Sequence, residues 1–229
     1  MRIAINKRLR TAASLVRDGA ILADVGTDHA YLPIYLLEQG KIEKAILSDI
    51  NEGPLNKARE NVKKYGFEDK AEFFLCDGAS ALSGLGITDY TICGMGGELI
   101  ADIIDKAPEI KNEKINLILQ PMSKQEVLRR YLFENGFEIN NEVYVTDECK
   151  HYVCILAHFS GKTQDFSDAD VYFGKEKFFK NETEDFLNFM KAKLAALTVT
   201  VEGKMRGGLD TEFESGLLST LKERLKIKQ

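Results

Sequence analysis

The sequence alternates five times between a short apolar run and a longer, more polar segment, and four of those segments have helical spacing. Repeated units of strand and helix predict a parallel sheet with helices packed on it. Gly40, Gly66 and Gly136 mark helix ends, and Pro54 marks a helix start. The predicted strands are 21–25, 45–49, 71–75, 90–93 and 115–119, and the predicted helices are 31–39, 54–65, 98–106 and 124–135.

Two β runs, 138–145 and 151–159, follow this alternation and are joined by the short polar turn 146–150. Such a pair should form an antiparallel hairpin. Five βα units followed by a hairpin predict an α/β, Rossmann-like sheet that is mostly parallel and carries one antiparallel strand. Ligands of such sheets bind outside the carboxyl ends of the strands. The residues that follow each strand are therefore the candidate site.

The pattern changes near Gly161. A polar linker, 162–170, leads to two helix-like stretches separated by Gly207 and Gly208, and we expect them to form a coiled-coil-like hairpin. We therefore predict two domains, 1–160 and 161–229, and the helical arm could either contact a large substrate or mediate self-association. Residues spaced three or four apart, as on one face of a helix, are Phe186, Met190, Lys193, Leu197 and Val201 in the first stretch and Phe213, Leu217, Leu221 and Leu225 in the second.

The net charge at pH 7 is −5, and acidic and basic side chains cancel from residue 161 onward, so the excess lies in 1–160. This balance argues against a protein that coats nucleic acid indiscriminately. A local basic face is still possible, because the first 17 residues contain no acidic side chain and five basic ones. These are Arg2, Lys7, Arg8, Arg10 and Arg17. A helix whose apolar face holds Ile5, Leu9, Ala12, Ala13 and Val16 would place Lys7, Arg10 and Arg17 toward its solvent side.

Four cysteines at unpatterned spacings, without a signal-peptide pattern, indicate reduced thiols and a cytoplasmic protein. No apolar run is long enough to span a membrane. Cys149, His151, Cys154 and His158 have spacings that resemble a zinc site. Strand alternation, however, places His151 on one face and Cys154 and His158 on the other, whereas zinc needs four convergent ligands. We therefore expect no metal.

The loop after the first strand holds Gly26, Asp28, His29 and Tyr31. It lacks the Gly-x-Gly-x-x-Gly pattern that lets a pyrophosphate approach, and the Asp28 carboxylate would repel phosphates but could pair with an ammonium. Asp49, after the second strand, is placed to accept hydrogen bonds from ribose hydroxyls. A ligand with a ribose, an amino group and no phosphate fits best, and S-adenosylmethionine is the common one.

Three further strand ends extend this set. Asp77 and Gly78 follow the third strand, where the carboxylate could accept a hydrogen bond from the adenine amine. Helix N-capping is the alternative role for Asp49 and Asp77. Glycines 94, 96 and 97 either let substrate and methyl donor meet or only form a tight turn. Gln120 and Pro121 are either a contact at the rim of the site or a rigid loop.

Four sequence blocks, 24–33, 49–55, 94–97 and 119–121, resemble the bacterial tRNA (adenine-22-N1)-methyltransferase family, the TrmK type. The resemblance covers essentially the whole chain, including the helical hairpin. Lys7-Arg8-Leu9 matches a Lys-Arg-Leu in the family's first helix. After the third strand the family has Gly-Asp-Gly-Leu where this chain has Cys-Asp-Gly-Ala, so the carboxylate of Asp77 is kept and only the shape of the loop is in doubt.

The resemblance implies a class I methyltransferase domain, with S-adenosylmethionine as methyl donor and tRNA as partner, in a monomer or weak dimer. Asp28 is the expected catalytic residue. The expected cofactor-binding residues are Gly26, Asp28, His29, Leu32, Asp49, Ile50, Asn51, Asp77, Gly78, Gly94, Met95 and Gly96. The expected substrate-binding residues are Arg8, Tyr31, Gly97, Gln120 and Pro121.

The implied reaction methylates N1 of adenosine 22 in tRNA. N1 lies on the Watson–Crick edge, so the base must leave its stack or come from a loosened pair. N1 of neutral adenine already has a lone pair, so positioning and stabilisation of the growing positive charge are what the enzyme must supply. We expect Asp28 to accept a hydrogen bond from the adenine amine and to offset that charge, His29 and Tyr31 to shape the pocket, and the five N-terminal basic residues to hold tRNA phosphates.

Three other functions remain open from sequence. A nicotinamide oxidoreductase is disfavoured by the missing glycine pattern. A methyltransferase that acts on another RNA, a protein or a small molecule would share every donor-site residue. A non-catalytic RNA-binding protein would bind tRNA without binding the methyl donor.

Overall fold

The computed structural model describes residues 2–180 and 183–226, with the side chain of residue 180 not described. Seven strands form one sheet in the order β3-β2-β1-β4-β5-β7-β6. All neighbouring pairs are parallel except those of β7, which runs antiparallel to both β5 and β6. The predicted α/β sheet with one antiparallel strand is therefore confirmed. The strands are β1 Ala20–Val25, β2 Ile42–Asp49, β3 Ala71–Leu75, β4 Asp89–Gly96, β5 Asn116–Ser123, β6 Phe137–Asp147 and β7 Lys150–Phe159.

Eight α-helices cover the two faces of this sheet in the described part of the chain. Successive strand residues point to opposite faces, so Leu22 packs with the first three helices while Ala23 packs with the later ones. Apolar side chains on both faces explain why the inner strands read as nearly continuous apolar runs. The helices are α1 Lys7–Leu15, α2 Tyr31–Glu38, α3 Glu52–Tyr65, α4 Gly97–Asp105, α5 Gln125–Glu134, α6 Asp168–Phe173, α7 Glu184–Arg206 and α8 Glu212–Arg224.

Helix α1 runs along the sheet from its carboxyl edge to its amino edge. Asn6 caps its N-terminus by accepting a hydrogen bond from the Leu9 amide at 2.9 Å. At the other end Arg17 pairs with buried Asp89, the first residue of β4, at 2.7 Å. The helix is shorter than predicted, because Ile5 and Val16 lie just outside it, although both side chains are buried as expected.

The predicted linker 162–170 is wrong in its last residues. Ser167 begins α6 with a capping box, in which its hydroxyl accepts from the Asp170 amide at 3.2 Å and the Asp170 carboxylate accepts from the Ser167 amide at 2.9 Å. Ser167 and Asp170 therefore mark a helix start, although the polar composition of this segment predicted a linker.

The C-terminal helices pack on the sheet as well as on each other. Phe186 and Met190 of α7 are buried in the same apolar cluster as Tyr144 of β6, and Leu221 of α8 joins them. The two halves of the apolar stripe meet as a hairpin of α7 and α8, as predicted, but Phe213 is about half exposed. The division of the chain into domains at residue 160 stays a prediction. Among the residues described, no helix is long and apolar enough to cross a membrane.

Candidate functional site

A cavity of about 640 Å³ opens at the carboxyl edge of the sheet, next to β1. This volume is within the range of small-molecule sites, and the position is where α/β sheets bind ligands. The strand ends of β1, β2, β3 and β4 all contribute, as the sequence predicted. Of the predicted residues the cavity is lined by Arg8, Gly26, Asp28, His29, Tyr31, Leu32, Asp49, Ile50, Asn51, Asp77, Gly78, Gly94 and Met95.

The loop after β1 forms the floor of this cavity. The Gly26 and Thr27 amides donate to the Ser48 carbonyl of β2 at 2.9 and 3.0 Å, which fixes the loop against the neighbouring strand. Gly26 has a φ of +71°, and a Cβ there would lie 2.1 Å from the Met95 methyl group. The backbone conformation therefore favours glycine, whereas the contact with the end of the flexible Met95 side chain would be relieved by a movement of that side chain.

The mouth of the cavity is formed by Asp28, His29 and Tyr31. The Asp28 side chain is 66% exposed, and its carboxylate lies 3.6 Å from His29 Nε2. The rings of His29 and Tyr31 are stacked with centroids 5.1 Å apart. Asp28 has a φ of +50°, a conformation unusual for a residue other than glycine. A carboxylate beside a stacked aromatic pair can bind a flat, amino-bearing ring.

Asp49 is almost buried at the end of β2, where one carboxylate oxygen accepts from the Asn51 amide at 2.9 Å. Its second oxygen can accept from a ligand hydroxyl. Asp77 is exposed after β3, and no α-helix follows it before β4. Asn51, rather than Asp49, is the N-cap of α3. The capping alternative is therefore excluded for both aspartates.

Asp24 is a residue of the site that sequence reasoning missed. It lies at the base of the cavity in β1, and its carboxylate accepts from Thr27 at 2.8 Å and from Thr91 at 2.6 Å. Burial raises the pKa of Asp24 to about 6, although the two hydroxyls act against the shift. The available signal was an aspartate inside an otherwise apolar strand, with a threonine three residues later.

Gln120 connects three elements under the cavity. The residue is fully buried, and its Oε1 accepts from the Gly94 amide at 3.1 Å and from the guanidinium of Arg8. Its Nε2 donates to the Pro121 carbonyl at 3.1 Å. Gln120 thus holds the glycine-rich end of β4 and α1 in place from below, and it does not line the cavity.

Gly96, Gly97 and Pro121 also lie outside the cavity lining. A Cβ on Gly97 would come within 2.1 Å of the Lys124 carbonyl, so this glycine lets α4 pack against the start of α5. A Cβ on Gly96 would meet Ser123 at an ordinary 3.5 Å. Packing of α4 against α5 therefore explains why residue 97 is a glycine, without any contact to a ligand. The predicted binding roles of these residues and of Gln120 stay predictions.

The N-terminal basic residues divide between two ends of the molecule. Arg8 lines the cavity, and Arg10 donates to the Ile5 carbonyl at 3.1 Å. Arg17 binds Asp89 and the Lys114 carbonyl at the opposite edge of the sheet. Arg17 therefore lies away from the cavity and stabilises the fold through Asp89, and its predicted contact with tRNA phosphate stays a prediction.

Residues distant in sequence complete the cavity. Asn6 and Leu9 come from α1, Leu99 and Ile103 come from α4, and Val25, Thr27 and Cys93 come from strand ends already in the predicted site. The apolar residues of this set gave no functional signal, since such side chains usually form the core. Packing of α1 and α4 around the sheet edge brings the residues of these two segments to the cavity.

The two cysteines and two histidines with zinc-like spacing differ in burial and in their contacts. Cys149 is exposed and Cys154 is buried. His151 Nδ1 lies 3.0 Å from the Thr146 hydroxyl, and His158 Nδ1 lies 2.8 Å from Asn140 Oδ1. In the part of the chain that the structure describes, no three His, Cys, Asp or Glu side chains are arranged to hold a metal ion.

The charges that line the cavity fit S-adenosylmethionine better than a dinucleotide. Four aspartates line it, Asp24, Asp28, Asp49 and Asp77, against one arginine, Arg8. Such a lining attracts a ligand with an ammonium and a sulfonium and repels one with phosphates. The positive-φ glycines at 26, 78 and 94 allow close approach to the backbone. The residues that line the cavity therefore fit S-adenosylmethionine, the ligand that the sequence at the strand ends suggested.

Comparison with known proteins agrees with this geometry. A family model described as a methyltransferase domain matches residues 5–155. The chain is 28% identical over 236 residues to the tRNA (adenine(22)-N(1))-methyltransferase of Bacillus subtilis, covering 98% of this chain and 95% of that protein. A Streptococcus pneumoniae protein, Sp1610, solved in complex with S-adenosyl-L-methionine, is 34% identical with a TM-score of 0.84, covering 97% of this chain and 100% of that one.

A third similar protein is M. capricolum TrmK, solved with S-adenosyl-homocysteine. It is 26% identical with a TM-score of 0.77, covering 97% of this chain and 96% of that one. The match extends over the sheet and the C-terminal helices together. The chain therefore belongs to the methyltransferase-domain family and, within it, to the TrmK group of tRNA methyltransferases.

Proposed function

We propose that this protein transfers a methyl group from S-adenosylmethionine to N1 of adenosine 22 in tRNA. The observation that supports it most is the acidic cavity at the carboxyl edge of the sheet, with a carboxylate and a stacked aromatic pair at its mouth. Full-length similarity to tRNA (adenine(22)-N(1))-methyltransferases points to the same reaction. We place the reaction in the cytoplasm, without a metal ion, in a monomer or weak dimer.

S-adenosylmethionine, when bound, supplies an electrophilic methyl group on a sulfonium. Asp49 would accept hydrogen bonds from its ribose hydroxyls, since one carboxylate oxygen is already used by Asn51 and the other is available. Asp77, next to Gly78, would face the adenine amine. Gly26 and Gly94 would let the methionine end lie close to the backbone.

The target adenine would enter at the mouth of the cavity. Asp28 would accept a hydrogen bond from the adenine amine and offset the positive charge that grows on the ring as N1 is methylated. His29 and Tyr31, already stacked on each other, offer an aromatic surface for the extruded base. N1 needs no deprotonation, so these residues act by orientation and electrostatics.

The experiment that tests the function is nucleoside mass spectrometry of tRNA incubated with the protein and S-adenosylmethionine. We expect N1-methyladenosine, and sequencing by reverse-transcription stops should place it at position 22. Methylation at another nucleoside or position would assign a different methyltransferase. Binding of tRNA without binding of S-adenosylmethionine, measured by calorimetry, would indicate a non-catalytic RNA-binding protein.

The role of Asp28 is tested by Asp28→Ala. We expect turnover to be abolished while the Kd for S-adenosylmethionine stays within a few-fold, because the carboxylate is at the mouth of the cavity and acts on the base. Asp18→Ala, at an exposed aspartate near the opposite edge of the sheet, is the matched control and should keep full activity. Unchanged turnover in Asp28→Ala would overturn the assignment.

A further inference from the structure

A second cavity, of about 480 Å³, lies at the carboxyl edge of the sheet beyond the main one. Because β7 is antiparallel to β5, its first residues lie beside the last residues of β5, and α7 closes the cavity from the side. The walls are therefore built from the sheet and from the C-terminal hairpin together. They include Met122, Gln125, Lys150, Tyr152, Phe189 and Lys193.

The charge in this cavity is positive. Lys193 is partly buried, its Nζ donates to Gln125 Oε1 at 3.0 Å, and it lies 5.6 Å from the centroid of the Phe189 ring. In the described part of the chain neither Lys193 nor Lys150 forms an ion pair, and no carboxylate lines the cavity. An ammonium withdrawn from water without a counter-ion costs stability, and an anionic ligand would offset that cost.

Burial lowers the pKa of Lys193, and the positive charge of Arg129 adds to this, while the nearby Glu126 carboxylate acts in the opposite direction. The lysine is thus held where positive charge is unfavourable in the absence of a ligand. His151 also lines the cavity, and its Nδ1 lies 3.0 Å from the Thr146 hydroxyl. Residues with perturbed pKa values in a cleft are candidates for ligand binding.

The two cavities are connected by a contact between one residue of each lining. Arg8 lines the main cavity, and its guanidinium carbon lies 5.9 Å from the centroid of the Tyr152 ring, which lines the second one. Below them Gln120, which binds Arg8, has its Nε2 3.7 Å from the sulfur of Met122. A polynucleotide whose target base enters the main cavity can therefore reach the second cavity by passing over Arg8.

We propose that the second cavity binds a nucleotide that flanks the target adenosine, with its phosphate at Lys193 and Lys150 and its base or ribose against Tyr152 and Phe189. This inference rests on the proposed function, because it takes tRNA as the substrate. Cations interleaved with aromatic side chains are the combination that binds single-stranded nucleic acid. The site also gives α7 a role in substrate binding that the fold alone did not require.

The experiment compares Lys193→Met with Lys191→Met, an exposed lysine two residues earlier on α7 and outside the cavity. We expect Lys193→Met to raise the Kd and KM for tRNA by about tenfold, and to reduce the slope of log Kd against log salt by about one unit. KM should rise more than kcat falls, the Kd for S-adenosylmethionine should not change, and Lys193→Arg should recover most of the affinity. Lys191→Met should match the wild type.

The outcomes separate this inference from the function on which it rests. If the wild type methylates tRNA but Lys193→Met and Lys191→Met have the same KM and salt slope, the second site is wrong and the function stands. If the wild type neither binds nor methylates tRNA, the proposed function itself fails. Should Lys193→Met no longer bind S-adenosylmethionine, Lys150→Met at the exposed start of β7 decides, with the same expected loss of tRNA affinity.

Discussion

Asp24 shows how one buried side chain can couple the site to pH. Its carboxylate is held by two threonine hydroxyls at the base of the cavity, and burial raises its pKa from 3.8 to about 6. For an acid with a raised pKa the folded state favours the protonated form. Its contribution to stability is therefore fully present below about pH 4 and is lost as the pH rises through 6.

Replacement by asparagine should remove this dependence. A shift of roughly two pK units corresponds to about 3 kcal/mol. The free energy of unfolding of Asp24→Asn should therefore rise relative to the wild type by up to about 3 kcal/mol between pH 4 and pH 7, with no further change above pH 7. Urea unfolding of both proteins across this pH range measures the difference. Asp69→Asn, at an exposed aspartate, should show a flat difference, and the same flat result for Asp24→Asn would contradict the raised pKa.

Gly97 and Gly203 are a matched pair of glycines with opposite expectations. A Cβ on Gly97 would lie 2.1 Å from a backbone carbonyl, while a Cβ on Gly203, inside α7, would meet nothing within 4 Å. Gly97→Ala should lower the free energy of unfolding by about 1–3 kcal/mol by pushing α4 from α5. Gly203→Ala should raise it by about 0.5–1 kcal/mol through helix propensity. Chemical denaturation measures both, and equal effects would contradict the packing explanation.

At the scale of elements, α1 connects the N-terminal basic residues to the site. Its first turn places Asn6, Arg8 and Leu9 on the cavity, while Arg17 holds the opposite end of the helix to β4. The same helix therefore serves binding at one end and the fold at the other. This division follows from the direction in which α1 crosses the sheet.

Charge reversal at Arg8 tests the binding end. Arg8→Glu should weaken tRNA binding by about tenfold or more and make it less sensitive to salt, because a phosphate contact is lost and a repulsive charge is gained. Filter binding at several salt concentrations measures this. Lys63→Glu, an exposed lysine at the C-terminal end of α3, is the control with the same charge change. Equal effects of the two variants would mean that only net charge matters.

At the scale of the whole molecule, a buried ion pair lies where the sheet meets the C-terminal segment. Arg129 of α5 donates to Glu142 of β6 at 2.6 Å, and both side chains are fully buried. Arg129 also donates to the Val171 carbonyl of α6 at 3.1 Å, and the Tyr144 hydroxyl donates to Glu142 at 2.6 Å. The hydrogen bond from Arg129 to Val171 therefore crosses the position at which we predicted a domain boundary, while the ion pair itself lies within 1–160.

Glu142→Gln should destabilise the protein by about 3–5 kcal/mol, because it leaves the Arg129 charge buried without its partner. Calorimetry should show one unfolding transition at lower temperature, since residues of both predicted domains share one apolar cluster. Glu72→Gln, which breaks the exposed pair with Lys44, should change stability by less than about 1 kcal/mol. Two transitions, with the C-terminal helices lost first, would instead support independent folding of 161–229.

The sequence alone was sufficient for the order of elements and for most of the cavity. Alternating apolar runs and helical spacings depend on local periodicity, and the carboxyl ends of parallel strands must meet at one edge, so Gly26, Asp28, Asp49 and Asp77 could be grouped from their positions in the chain. The single antiparallel strand followed from a hairpin at the end of a βα series.

Only the tertiary structure decided which side chains complete the site and which support it. Asn6 and Leu99 reach the cavity because α1 and α4 pack around the sheet edge, and Gln120 lies beneath it because β5 is buried on both faces. Asp24 acquires its raised pKa from burial, and Lys193 joins a second cavity because α7 packs beside β7. These properties depend on long-range packing and on exclusion of water, which no local pattern in the chain encodes.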